Sequence, residues 1–338
     1  MRLIAFTLLC AWLSAWVGHA QDYPSARIAN GELTVDLYLP DQEKGSYRGT
    51  RFDRSGIIRS LMYKGHNYFG KWYDTHDPLF HDAITGPVNI FDNAGPATGY
   101  AEAKPGETFV RIGVGRVEKP EEPAYKELHT YKVVDPGKWT IQKRKDSIEF
   151  THELPDMGAQ TGYGYIYSKK LSLVPGKPEM ILAQELKNTG SKPIDTMVFN
   201  HGFFQIDREP AGPGLVWTFP FKPTTKRYMA DVAEIRGDKI VYLREIIPGE
   251  RLLAPLEGYG TSAKDHRFSL ENRKTGAGVR VSGDRPIAKL TFWSRRMAYS
   301  PEASVHLRVL PGQTEKWETR YEFYLAPERK KCLCDING

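Results

Sequence analysis

The sequence predicts an all-β chain folded as a large antiparallel β-sandwich, and three observations carry that expectation. Apolar and polar residues alternate with the two-residue period of strands along most of the chain. The strand-like runs are separated by short turns rich in Gly, Pro, Asn and Asp, and no long amphipathic helix with caps interrupts them. Many strands joined by short turns form a sandwich rather than an α/β fold.

The chain opens with Arg2, an apolar run over residues 3–17, and Gly18 and Ala20 at the −3 and −1 positions before Gln21. This is the layout of a cleaved secretory signal, too short for a membrane span. Residues 1–20 are therefore expected to be removed on export to a periplasmic or secreted location. Residues 21–330 then form one sandwich domain, and 331–338 form a tail. With Cys10 inside the signal, only Cys332 and Cys334 remain, one residue apart. Such a close pair makes a strained disulfide at best, so the fold does not rest on a disulfide framework.

Strand alternation is read at 33–39, 109–117, 139–143, 147–152, 163–169, 180–187 and 194–201. It resumes at 215–219, 239–243, 266–272, 278–282, 288–293, 304–309 and 319–324. Turn signals stand between these runs, among them Asp135-Pro136-Gly137, Arg236-Gly237-Asp238 and Pro311-Gly312. Residues 71–106, rich in Gly, Pro and Asp, form the longest irregular segment, and long ordered loops in compact domains are more often functional than decorative.

Charged residues make up 26% and hydrophobic residues 40%, which is ordinary globular usage. The net charge of +6 does not indicate nucleic acid, because basic and acidic residues are interspersed and the longest basic cluster, Arg329-Lys330-Lys331, lies in the tail. A mildly basic solvated surface with some attraction for acidic polysaccharides is the better reading. Gly113-Val114-Gly115 lacks the third glycine and following helix of a dinucleotide site, and no Gly-x-Ser-x-Gly elbow is present. Asp74, His76, Asp77, His81 and Asp82 are metal-ligand types but read as a hydrogen-bonded loop. No cofactor, metal or oligomer signal follows, and no membrane contact after signal cleavage.

The stretch from Asn188 to Asp207 is the most informative. Asn188-Thr189-Gly190 forms a turn, Pro193 fixes its exit, and a strand follows. Ile194, Thr196, Val198 and Asn200 fall on one face of that strand; Asp195, Met197, Phe199 and His201 fall on the other. The strand ends with an imidazole able to titrate near neutrality, and Gly202 lets a ligand or second backbone approach. Two aromatic residues and a carboxylate complete a set suited to a sugar pocket.

Three segments resemble the galactose-mutarotase-like fold of aldose 1-epimerases and related sugar-binding domains. They are the opening hairpin over residues 49–66, the Asn188 to Phe204 element with Asn200-His201, and Pro301-Glu302 followed by Leu310-Pro311-Gly312-Gln313. The resemblance implies a mono- or oligosaccharide partner and an enzyme that moves protons on a sugar ring. The anomeric hydroxyl loses a proton while the ring oxygen gains one, so a base and an acid must stand on opposite sides of the ring. Carried over, these are Glu302 as base and His201 as acid. Asn200, Arg51 and Asp207 are expected to bind hydroxyls, with Phe203, Phe204 or Trp217 as the apolar platform. The family's second histidine has no counterpart in the strand beginning at Glu107. His81 and His129 are possible substitutes, and Arg111 could stand there as a fixed cation that moves no proton at neutral pH. A polysaccharide lyase or hydrolase, or a carbohydrate-binding protein without turnover, would use the same pocket.

Overall fold

The computed structural model describes residues 23–92, 95–158 and 161–327. The signal-like segment and Cys332 and Cys334 lie outside them. In chain order the strands begin with β1 (Ser25–Ala29), β2 (Leu33–Tyr38), β3 (Ile57–Tyr63), β4 (His66–Asn67), β5 (Val88–Phe91), β6 (Thr108–Arg111), β7 (Gly115–Glu118) and β8 (Val133–Asp135). There follow β9 (Lys138–Lys143), β10 (Ser147–Leu154), β11 (Tyr165–Leu173), β12 (Glu179–Asn188), β13 (Ile194–His201), β14 (Leu215–Thr218), β15 (Ala233–Arg236) and β16 (Lys239–Tyr242). The last six are β17 (Arg251–Leu256), β18 (Arg267–Asn272), β19 (Ala277–Gly283), β20 (Lys289–Arg295), β21 (Ala298–Val309) and β22 (Thr314–Leu325). Only short 3₁₀ turns accompany them among the described residues.

Two sheets carry the architecture, one of ten strands ordered β15-β16-β14-β18-β19-β22-β12-β11-β10-β9 and one of five ordered β17-β20-β21-β13-β5. Smaller sheets, β1-β2-β3-β4 and β6-β7-β8, flank them. The period-two pattern explains the layers. Along β11 buried and half-buried residues alternate without a break, as a strand with one face on a core requires. The main core joins the two large sheets: Trp217 of β14 sits edge-on to Phe292 of β20 and Tyr299 of β21 at 6.1 and 6.4 Å. Trp217 is fully buried, and cutting such a side chain to alanine costs about 3–5 kcal/mol.

Two expectations are corrected in detail. The run 109–117 is not one strand but the hairpin β6–β7, turned by Gly113 and Gly115 at φ 77° and 134°, values an L side chain rarely adopts. Strand β17 escaped the sequence reading because Pro255 interrupts it. It lies at the edge of its sheet, where a proline is tolerated.

Candidate functional site

The five-stranded sheet turns one face to the ten-stranded sheet and the other to a cavity of about 340 Å³. Strand register builds the cavity floor. On β20, Lys289, Thr291, Trp293 and Arg295 alternate onto the same face, and all four line the cavity. Arg251 and Leu253 of β17 lie opposite Arg295 and Trp293, and Glu302 of β21 lies opposite Thr291. On β13, Phe199 pairs with Ser304, and continuing that register by two residues sets His201 opposite Glu302. The separation in sequence thus closes to neighbouring positions on adjacent strands, and His201 Nε2 is 3.1 Å from Glu302 Oε1.

The environments of the two groups differ. Glu302 retains 8% exposure and lines the cavity, whereas His201 is 1% exposed and sits behind it. Phe203 stacks face to face on the imidazole at 3.6 Å, and Trp293 meets it edge-on at 4.7 Å. Burial lowers the His201 pKa below its ordinary value, only partly opposed by the hydrogen bond and charge of Glu302. The ring is therefore neutral at pH 7, with Nε2–H donated to the carboxylate and Nδ1 unpartnered. Backbone geometry at this strand end is demanding: Phe203 has φ 43°, and a Cβ on Gly202 would lie 2.4 Å from the Phe204 ring.

Loops supply the opposite wall. Arg51 pairs with Asp82 and, at 3.1 Å, with Glu127, and its guanidinium lies 4.8 Å from the centre of the Phe52 ring. His81 joins this wall with Nε2 3.9 Å from Asp82 Oδ2. Burial lowers its pKa, against the pull of the Asp82 charge. The segment 71–106, read from sequence as irregular, also contains strand β5 and supplies part of the cavity wall through His81 and Asp82.

Among the residues singled out from sequence, the structure brings Glu302, Arg51 and His81 into one cavity, with His201 behind Glu302. His201 and Glu302 touch each other rather than flanking a space between them. Asn200 points to the opposite face of β13, bonded to Asn89 at 2.9 Å and to the Tyr321 hydroxyl. Asp207 lies elsewhere and is occupied by His66 Nδ1 at 2.8 Å and the Asn67 amide at 3.0 Å. Phe204 and Trp217 are core residues, so neither offers a platform to a sugar. Arg111 is buried and donates to the Arg51 carbonyl at 2.7 Å, holding a wall residue without reaching the cavity. His129 is exposed and packs on Tyr131, outside the cavity lining. Among the described residues no group of three or more His, Cys, Asp or Glu is arranged to hold a metal ion.

The sequence reading missed Thr291, Trp293, Arg295, Arg251 and Glu127. One signal was available: alternate positions 289, 291, 293 and 295 carry Lys, Thr, Trp and Arg, a polar and aromatic face unlike a core strand.

No protein-family model and no curated protein matches this chain. Solved structures do. The GalM/aldose epimerase homologue from C. elegans aligns over 90% of this chain and 100% of its own, with TM-score 0.55 and 13% identity. A galactose mutarotase related enzyme from Lactobacillus acidophilus covers 91% and 100%, with TM-score 0.54 and 10% identity. A galactose mutarotase-like protein from Lactobacillus casei covers 89% and 100%, with TM-score 0.50 and 13% identity. The strand order, the sandwich and these alignments together establish that the chain has the galactose-mutarotase-like fold.

Proposed function

We propose that the protein is an exported aldose 1-epimerase-like enzyme that exchanges the anomers of a sugar by acid/base proton transfer. The observation that carries this reading is a carboxylate, Glu302, set in the floor of a polar cavity and backed by a neutral imidazole, with a second imidazole, His81, in the same cavity. Glu302 takes the proton of the anomeric hydroxyl. Protonated His81 gives one to the ring oxygen as its bond to the anomeric carbon breaks, and rotation and reclosure return both protons. His201 then acts as a positioning residue that orients the carboxylate, rather than as the acid. Trp293 offers the apolar face for the pyranose.

Polarimetry on fresh α-galactose and α-glucose tests the reading. The wild-type chain accelerates anomerisation over buffer, and Glu302→Gln reduces the acceleration roughly 10²- to 10⁴-fold while remaining folded. A wild-type rate equal to buffer would end the epimerase reading. Because burial lowers the His81 pKa, the protonated acid is lost at lower pH than for an ordinary histidine, so the rate falls as pH rises through that lowered value. Export is tested by N-terminal sequencing of the protein recovered outside the cytoplasm, which should begin at Gln21.

A further inference from the structure

Arg251 and Arg295 face each other directly across β17 and β20. Like charges at opposed strand positions repel. Elsewhere such arginines are matched with carboxylates, Arg280 to Glu322 and Arg320 to Glu179 on neighbouring strands. Among the described residues, neither Arg251 nor Arg295 has a carboxylate within salt-bridge distance, and the Arg295 Nε is buried without a partner. Arg51, in the same cavity, is already neutralised by Asp82 and Glu127. The unmatched positive charge therefore lies at one end of the cavity that holds Glu302.

A second cavity, of about 420 Å³, shares His81, Asp82 and Arg295 with the first and is walled by Trp72, Tyr73 and Phe80. Arg295 thus stands where two compartments meet. Along β20 it is four residues beyond Thr291, the residue opposite Glu302, a span of roughly 13 Å. An anion held between the two arginines belongs to the sugar unit next to the one over Glu302, not to that ring itself.

We propose that the site takes an acidic oligosaccharide of at least two units, with the anionic group of the second unit clamped between Arg251 and Arg295 and its ring in the aromatic compartment. The proposal rests on the reading of the first cavity as a sugar site. Carboxylate, sulfate ester and phosphate ester share the chemistry that the guanidinium pair recognises.

Calorimetric titration of the mature chain with digalacturonic acid, its carboxyl-reduced counterpart and monomeric galacturonic acid provides the test. A disaccharide sulfated or phosphorylated on its second unit identifies which anion is preferred. Digalacturonic acid, or one of the ester-bearing disaccharides, should bind about tenfold or more tightly than the neutral disaccharide, and added salt should erode the advantage. The Arg251→Gln/Arg295→Gln double variant should abolish that preference, with an unchanged far-UV circular dichroism spectrum and urea midpoint reporting that it is folded. Equal affinity for every charged and neutral disaccharide would overturn the proposal. So would a preference that survives the double variant, or a monomer that binds as tightly as the dimer. Arginine-dependent binding without anomerisation would remove the epimerase reading and leave this one, whereas turnover of neutral sugars without charge preference would do the reverse.

Discussion

Two carboxylates in this protein are each held by a basic side chain from a strand, and the contrast between them separates scaffolding from chemistry. Asp53 is fully buried against Lys169 of β11 at 2.5 Å. It also accepts from the Ser55 amide at 2.7 Å, the Ser55 hydroxyl and the Tyr167 hydroxyl at 3.2 Å. Lys169 in turn donates to the Ser55 carbonyl at 3.0 Å. Both Asp53 oxygens accept twice and Lys169 is held by two oxygens, so the pair serves to hold structure. What it holds is the turn two residues beyond Arg51, which anchors one wall of the cavity. Glu302, by contrast, has His201 on one side and open cavity on the other. Saturation and enclosure mark a structural ion pair; one satisfied side and one free side mark a group available to a ligand.

Breaking the saturated pair should have the largest effect on stability. Lys169→Met leaves Asp53 buried without its cation, and chemical denaturation should show a loss of about 3–5 kcal/mol. Asp53→Asn/Lys169→Met, which removes both charges, should recover part of it. A loss under 1 kcal/mol for the single variant would contradict the structural role.

The next largest effect concerns a buried carboxyl that is not saturated. Asp92 accepts from Thr196 Oγ1 at 3.0 Å, but its second oxygen is unpartnered, and burial pushes its pKa up to about 6 from 3.8. A raised folded pKa favours the fold fully below the unfolded value and loses that contribution as pH rises through 6. Asp92→Asn should therefore be more stable than wild type at pH 7, by up to about 3 kcal/mol, and show no advantage by pH 4. Urea unfolding at the two pH values measures the difference.

A smaller effect is expected at the open pair. His201→Phe preserves the aromatic packing with Phe203 and Trp293 but removes the hydrogen bond to Glu302. It should lower kcat about tenfold with KM nearly unchanged, the loss of one hydrogen bond to a charged group. Smallest of all, Asp207→Asn should leave anomerisation kinetics at the wild-type value. Among the described residues its polar partners are His66 and Asn67, away from the cavity, and the stability change should be about 1 kcal/mol or less. A change in kcat there would bring Asp207 back into the site.

The sandwich was legible because a two-residue period survives almost any tertiary context, and the runs at 139–143, 180–187 and 215–219 reappear as β9, β12 and β14. The same alternation already separated Asn200 from His201, so the two could not share a cavity, even though they are adjacent in a motif. Phe204 and Trp217 were legible as aromatic but not as core, since burial depends on which sheet lies across from them. The arginine pair was hidden for another reason. Arg251 sits on an edge strand whose Pro255 masks it, and the opposition to Arg295 exists only in the register of β17 on β20. Local pattern fixes a residue's face, whereas only strand order fixes its neighbours.

The most direct measurement sets the two carboxylates against each other: anomer exchange followed by NMR, per folded molecule, for wild type, Glu302→Gln and Asp53→Asn. The account predicts loss of exchange by roughly two to four orders of magnitude for Glu302→Gln, and a rate within about threefold of wild type for whatever fraction of Asp53→Asn is folded. Exchange that persists in Glu302→Gln would contradict it.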